Sequence, residues 1–479
     1  MMQAKQAQGE KSKTFAIWPN HKLAKGKEQI TMLKLHTTTA TVTNSVAAKR
    51  GPMSRTNGLT QVFTRRKGAS IMLKNSYTLF AYLFAFLLAL GALPAQAASE
   101  VGFEKSATLV RGPIAFGAVD ACANKVYVPV KDSDGNLRIT GMGLTENSLS
   151  NLPQTGNQHV GGKVQEVETT RLRGCNYFVT AVRAQDNTFK LIAWFSGADG
   201  FQRLGDSGNH NMAVSEIALA SMGVPTDGSA DGFPEGPDVG YTIAAVRTGG
   251  TGGVFALTSY WVDGGSFDHQ DTIIGEAATN IALTSLPPLN SFTHAGRSVV
   301  AYRTAQGNLR LAVYDVTLGG MFSLTGDSGN QAGSVEKVAI TAYDAKRVMT
   351  AVQLPDGTMK LIPWRINDDG TITRLHGVDD PTFNDPTAGR VSEIDIVEYN
   401  DSVPGFNDFV VTAVRTAEGN LRLIAWGINS GDIVRLGDSG NLAGNATQIR
   451  VAWSNNNQRL VTTLRDSDGN LRVIAWRIY

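Results

Sequence analysis

The run Gly205-Asp206-Ser207-Gly208 sets a hydroxyl between glycines and beside a carboxylate, a setting in which a serine can act as a nucleophile. Acyl-transfer chemistry of that kind needs one serine, activated by a histidine that a buried carboxylate orients. The surrounding heptad RLGDSGN (203–209) recurs as LTGDSGN (324–330) and as RLGDSGN (435–441), and no copy carries the rest of a catalytic pattern. Recurrence predicts a structural link. Asp206, Asp327 and Asp438 are placed to accept backbone N–H groups inside a turn, and the glycines permit positive φ.

The same residues have a second reading. Arg183, Arg303 and Arg415 each end a strand near such a link. With Asp206 and Asn209, Asp327 and Asn330, and Asp438 and Asn441 they could line small polar pockets between repeats. Carboxylate, amide and guanidinium groups beside an aromatic suit sugar hydroxyls. Each arginine could instead pair with the aspartate of the link.

Other candidates are weaker. Asp-Ser-Asp-Gly-Asn at 132–136 and 466–470 hints at a calcium loop, but it lacks the distal glutamate and the ligand count of an EF-hand and reads as a turn. His159, His210, His269, His294 and His376 come from different repeats without metal-ligand spacing, so no metal is expected. Trp194, Trp261, Trp364, Trp426 and Trp476, with Tyr314, hold a constant place at the end of a strand, which favours packing between repeats. No paired catalytic carboxylates and no phosphate loop stand out, and no catalytic residue is assigned.

The elements that position these residues are repeats. VTAVRTAEGNLRLIAW (411–426) has counterparts at 126–142, 179–194, 241–261, 299–314, 348–364 and 460–476. The residues ending their first strands are Lys131, Arg183, Arg247, Arg303, Gln353, Arg415 and Arg465, spaced by 50–64 residues, a period that marks a propeller or solenoid. Two β-branched segments flank an Asp-Gly or Glu-Gly pair, read as a two-residue hairpin turn. A third strand such as Asp432–Leu436 follows, and after the link a short fourth, such as Ser215–Ala220. Apolar residues on both strand faces ask for sheets stacked face to face. The prediction is all-β: a seven-bladed β-propeller of four-stranded antiparallel blades over 106–479. The fourth strand lies innermost, and the N-terminal strand Ser106–Arg111 completes the last blade.

This architecture resembles seven-bladed propellers such as WD-repeat proteins and propeller lectins, although the Gly-His…Trp-Asp signature of WD repeats is absent. The phrases TAVR…GNLRLIAW…RLGDSGN resemble repeats of uncharacterised secreted bacterial proteins. The resemblance implies a fold and brings no activity with it.

Residues 72–97 carry Lys74, an apolar run over 79–93 and Ala95-Gln96-Ala97, the pattern of a cleaved secretory signal peptide, which predicts a secreted or periplasmic chain with no membrane span after cleavage. Residues 1–71 then read as a disordered extension in front of a later true start, and 98–105 as a short segment before the repeats. The chain is formally +2, but 14 of its 44 basic and 2 of its 42 acidic side chains fall in 1–97. The remainder is acidic, which argues against nucleic-acid partners. Cys122 and Cys175, at matching repeat positions, are a candidate disulfide. The expected function is a binding or adhesion module for carbohydrate or cell-surface glycan at repeated inter-blade sites. The alternatives are a hydrolase or lyase with one site at the channel mouth, and a protein–protein platform. An enzyme site would lie where the repeat breaks, in 143–163, 248–278 or 366–390.

Overall fold

The computed structural model describes residues 101–479 apart from 111–114, 117–118, 123, 146–147, 153–160, 173–174, 199, 223–238, 250–252, 288–292, 376–387, 400–407, 430–431 and 455–457. The segments assigned to a leader and its extension, and His159 and His376, lie outside the described residues.

β-Branched segments joined by tight turns fold as antiparallel meanders. Val391–Glu398, Asp408–Thr416, Leu421–Asn429 and Asp432–Asp438 pair in that spatial order, with the first strand at one sheet edge. Lys337–Ala342, Arg347–Gln353, Met359–Ile366 and Ile372–Arg374 repeat the pattern. So do Asp120–Cys122, Lys125–Lys131, Leu137–Leu144 and Leu149–Asn151, where Ala115–Phe116 adds to the second strand. Between Val164 and Asp327 eleven strands form a continuous sheet. The expected link separates Gly200–Asp206 from His210–Met222, but Ser266–Leu286 runs unbroken where another was expected. His210–Met222 and Ser266–Leu286 each pair with one four-stranded group at the start and with the next group further on. Register shifts at 214/216 and 279/282 let one strand serve both groups.

Val101–Val110 pairs antiparallel with Leu471–Ile478, from Val101↔Ile478 to Val110↔Leu471, and so completes the last sheet with the amino-terminal strand. This strand starts five residues before the expected boundary at 106. A bulge between Phe103 and Lys105 breaks the alternation that would have revealed it. Phe103 packs edge-on against Trp476, with ring centroids 5.6 Å apart.

Hydrophobic clusters straddle neighbouring sheets. Leu423 and Ala425 meet Leu464 and Trp476; Val461 and Val473 meet Val126 and Val128; Tyr127 and Leu137 meet Phe178 and Trp194. The stack therefore returns to its first sheet through the cluster around Val461, and the architecture is that of a β-propeller. Trp194, Trp364, Trp426 and Trp476 are buried in these seams, and each donates Nε1–H to a threonine Oγ1 on the adjacent strand: Thr180, Thr350, Thr412 and Thr462, at 2.8–3.0 Å.

Trp261 departs from the expected ladder. The register pairs Thr242 with Tyr260, as Phe178 pairs with Trp194, so Tyr260 holds the ladder position. A one-residue offset sends Trp261 to the opposite face, where it meets Tyr241. The hairpins differ as well. In Asp132–Asn136 the residue with positive φ is Gly135, and Gly135 N–H donates to Asp132 O while Asp132 N–H donates to Asn136 O. That is a three-residue loop with a bulge glycine, not the two-residue turn that Asp-Gly suggested. Asn187 takes the glycine's place at φ 65° in the second repeat.

Candidate functional site

The serine and aspartate of each GDSGN link bond to backbone. Ser207 N–H donates to Leu191 O and Ser207 Oγ accepts from Leu191 N–H, both at 3.0 Å. Ser328 with Leu311 and Ser439 with Leu423 repeat both bonds. The serine thus extends the strand ladder with its side chain. Asp206, Asp327 and Asp438 each accept the N–H of the glycine two residues on, at 2.6–2.8 Å. Those glycines, Gly208, Gly329 and Gly440, have φ of 56–72°. The first glycine serves a different purpose: a Cβ on Gly205 would stand 2.2 Å from Gly265 O, and one on Gly326 would stand 1.9 Å from Gly370 O.

The predicted inter-blade pockets are not assembled. Asp206 pairs with Arg203, Asp327 with Arg310, and Asp438 with Arg435. The strand-end arginines point elsewhere. Arg183 binds Glu166 at 3.2 Å and Gln165 at 2.6 Å, Arg303 donates to Val335 O at 2.6 Å, and Arg415 to Ala446 O at 2.5 Å and Ser392 Oγ at 2.7 Å. The last two bonds to carbonyls tie one blade to the start of the next. Asn209, Asn330 and Asn441 are exposed, and Asn441 accepts from Arg422 at 3.3 Å.

Ser207 alone touches a histidine, His210, with Nε2 at 3.2 Å. Tyr260 Oη approaches the same nitrogen at 2.9 Å, and the ring lies among Phe189, Tyr260 and His269. Burial, and then His269, hold His210 below the ordinary imidazole range. Among the described residues the partners of His210 are Ser207, Tyr260 and neighbouring rings, not the carboxylate that a serine–histidine couple uses. The Asp-Ser-Asp-Gly-Asn turns spend their first carboxylate on backbone: Asp132 Oδ1 accepts from Asp134 and Asn136, and Asp466 Oδ1 from Asp468 and Asn470, at 2.8–3.0 Å. Among the described residues no group of three or more metal-ligating side chains comes together.

Chemistry collects instead where the innermost strands line the axis. The backbone geometry there is set by carboxylates that cap the next blade. Glu166 accepts from Ile217 N–H at 3.3 Å, Glu216 from Ile281 N–H at 2.6 Å, and Asp395 from Val451 N–H at 2.8 Å. One turn of side chains further along the axis, Arg450 lies 3.3 Å from Glu393 and 3.6 Å from Glu168. Burial pushes Glu168 up to about 8, against the pull of Arg450 and with the help of Glu166 and Asp395. A cavity of about 190 Å³ adjoins this group, walled by Ala218, Ala282 and Ala339.

Beyond it, sharing Leu219 and Leu283, a larger cavity of about 460 Å³ opens where the inner strands end. Its wall carries hydroxyls (Thr170, Ser221, Ser285, Thr341), the carboxyls of Asp120 and Glu398, the guanidinium of Arg171, and Trp453. Burial raises Asp120, with Arg171 opposing; burial raises Glu398 to about 7, opposed by Arg171 and assisted by Asp408 and Asp344. Arg171 reaches Ala121 O at 3.4 Å. A disulfide joins Cys122 to Cys175 across the first two blades, beside Asp120 and Ala121 on this rim, and Tyr127 Oη donates to Cys175 O. None of Asp120, Arg171, Glu398 or Trp453 was singled out from sequence. The signal was present: these positions break the small-residue pattern of the inner strands.

No protein-family model matches the chain, and no curated protein matches it. Among solved structures, the BP39L lectin from Burkholderia pseudomallei superimposes with a TM-score of 0.50 at 15% identity, over 77% of this chain and 96% of that one. A chain of the mitotic checkpoint complex gives 0.49 at 13% identity, over 79% and 95%. The lectin of Aleuria aurantia, described as a six-bladed β-propeller with a fucose recognition mode, gives 0.40 at 14% identity, over 69% and 98%. The likeness is one of architecture: an all-β propeller.

Proposed function

We propose that the chain is an exported glycan-binding module, closed as seven four-stranded blades, that takes its ligand in the axial cavity at the end of the inner strands. The observation that carries this is the cavity of about 460 Å³ whose wall combines hydroxyls, two carboxyls, a guanidinium and an indole. Sugars are bound by such mixtures, in which planar polar groups take the hydroxyls and an aromatic takes the apolar ring face. The links of the repeat are poorer hosts, since their aspartates and arginines are already committed to one another or to backbone. Export rests on the leader pattern of 72–97. A glycan array with the purified chain tests the reading. Hits that R171A and W453F abolish support it. An array without hits, or hits untouched by both substitutions, overturns it.

A second reading has its own observation. Asp120 and Glu398 are two carboxyls in one cavity, both raised by burial, Glu398 to about 7, in the direction a general acid requires. On that reading the array ligands would be cleaved, and mass spectrometry of the eluted glycans would show shortened products that E398Q fails to make.

A further inference from the structure

The axial cavity is unbalanced in charge. Its wall sets Asp120 and Glu398 against the single guanidinium of Arg171. Directly behind Glu398, Asp344 and Asp408 share one cation, Arg347, which binds Asp408 at 2.8 Å and Asp344 more closely. Four carboxyl groups therefore face two guanidiniums. Arg347 is committed to its two partners, and Glu398 enters no ion pair among the described residues. Its backbone N–H donates to Thr341 Oγ1 at 3.2 Å.

A second observation is independent of charge. Trp453 lines the cavity, is 8% exposed, and its indole N–H finds no acceptor among the described residues. Its ring lies 4.2 Å from that of Tyr399. A buried N–H without a partner is costly, and this one lies in the apolar seam against Tyr399, with its ring edge forming the cavity wall. Ser221 Oγ, which accepts from Thr170 at 3.3 Å, retains its own proton for a further acceptor.

We infer that this cavity selects a ring bearing both hydroxyls and a protonated amine, an amino sugar, with the ammonium at Glu398 and the sugar hydroxyls among Ser221, Ser285 and Thr170. The inference deepens the glycan reading above and rests on it for the sugar part. An ammonium meeting a carboxylate in a confined, partly dry cavity makes a short charge-assisted bond. The N-acetyl form of the same sugar offers only a neutral amide there, and a plain hexose only a hydroxyl.

Isothermal titration at pH 7 and low salt tests this with four probes: the β-1,4 dimer of glucosamine, its di-N-acetyl form, cellobiose and cyclohexylamine. The expected result is binding of the free-amine dimer at least ten-fold tighter than either neutral disaccharide. The ratio should fall to near one in E398Q and be largely retained in E398D, which keeps the charge. Equal affinities for the three disaccharides overturn the inference and leave the glycan reading standing. Binding of cyclohexylamine without binding of any disaccharide overturns the inference, because the cation site then takes no sugar. No binding of any probe also overturns the inference, and the array separately decides the glycan reading.

Discussion

The threonine–tryptophan pairs make a prediction whose size follows from the structure. In four blades the ladder tryptophan donates to a threonine, as Trp426 does to Thr412 at 2.9 Å. In three further repeats the ladder residue is not tryptophan, and its counterpart is not threonine: Met142 stands near Val128, diagonal to its register partner Val126, Tyr260 near Ala244, and Tyr314 near Val300. The chain thus keeps the hydroxyl only where an indole N–H needs it. T412V removes the acceptor at almost constant volume. Thr412 and Trp426 are 0% and 1% exposed, so water cannot replace it. An orphaned buried donor costs about 1–3 kcal/mol. In a W426F background the donor is gone, and T412V should cost less than about 0.5 kcal/mol, since deleting both partners is nearly neutral in the polar term. The coupling in the double-mutant cycle is then about 1–2 kcal/mol, read from urea unfolding midpoints of the four proteins. The reverse substitution V300T, which buries a hydroxyl where no indole waits for it, should destabilise. Equal costs of T412V in the two backgrounds would refute the reasoning and reduce the covariation to packing.

Three further outcomes are expected. S207A, S328A and S439A should each cost about 1–3 kcal/mol in denaturant unfolding, because Leu191, Leu311 and Leu423 each lose an acceptor for a ladder N–H. A serine whose loss left stability unchanged would contradict the ladder role. Glu398 is raised from its unfolded value to about 7. The stability its protonated form contributes is therefore full below about pH 4.3 and is lost as pH rises toward 7. E398Q should flatten that slope, and an unchanged pH profile of the unfolding midpoint would count against a buried carboxyl. The Cys122–Cys175 bridge closes a separation of 53 residues, for which chain entropy gives about 4 kcal/mol, so C122A/C175A should unfold at clearly lower urea than the parent.

The fold was legible because it repeats. Strand segments, glycine-marked links, the innermost place of the Ser215–Ala220 type of strand and the closing amino-terminal strand all follow from patterns seen several times over in one chain. Errors arose where one repeat departs from the rest. A single inserted position before Trp261 moved it off the ladder, and bulges hid both the start of the first strand and the continuity of Ser266–Leu286. The site was less legible, for a reason of the same kind. Repetition drew the reading to Asp206, Asp327 and Asp438, which recur because the three links that carry them need the turn. Which arginine meets which aspartate depends on side-chain directions that spacing leaves open: Asp327 meets Arg310, at the start of the second strand, and not Arg303 near the end of the first.

Residues that recur serve the blade; those that depart from the repeat are free to serve a ligand. The inner strands show the division position by position. Ala218, Ala282 and Ala339 pair across to Ala245, Ala301 and Ala351, and the matching inner positions paired to Ala181, Ala413 and Thr463 hold Glu168, Asp395 and Arg450. Three positions further along, Ser221, Ser285 and Ala342 answer to Arg171, Glu398 and Trp453. The small residues occupy three consecutive groups and the charged and aromatic ones three others, with the first repeat's Ala121, paired to Val126, between Trp453 and Arg171. The axial space is accordingly lopsided, open along one wall and functionalised along the other. A repeated lectin site would reproduce its groups from blade to blade, whereas this lining cannot be repeated at all. The geometry therefore predicts one ligand per chain, and a titration of the glycan that gives several equivalent sites would move the binding back to the links.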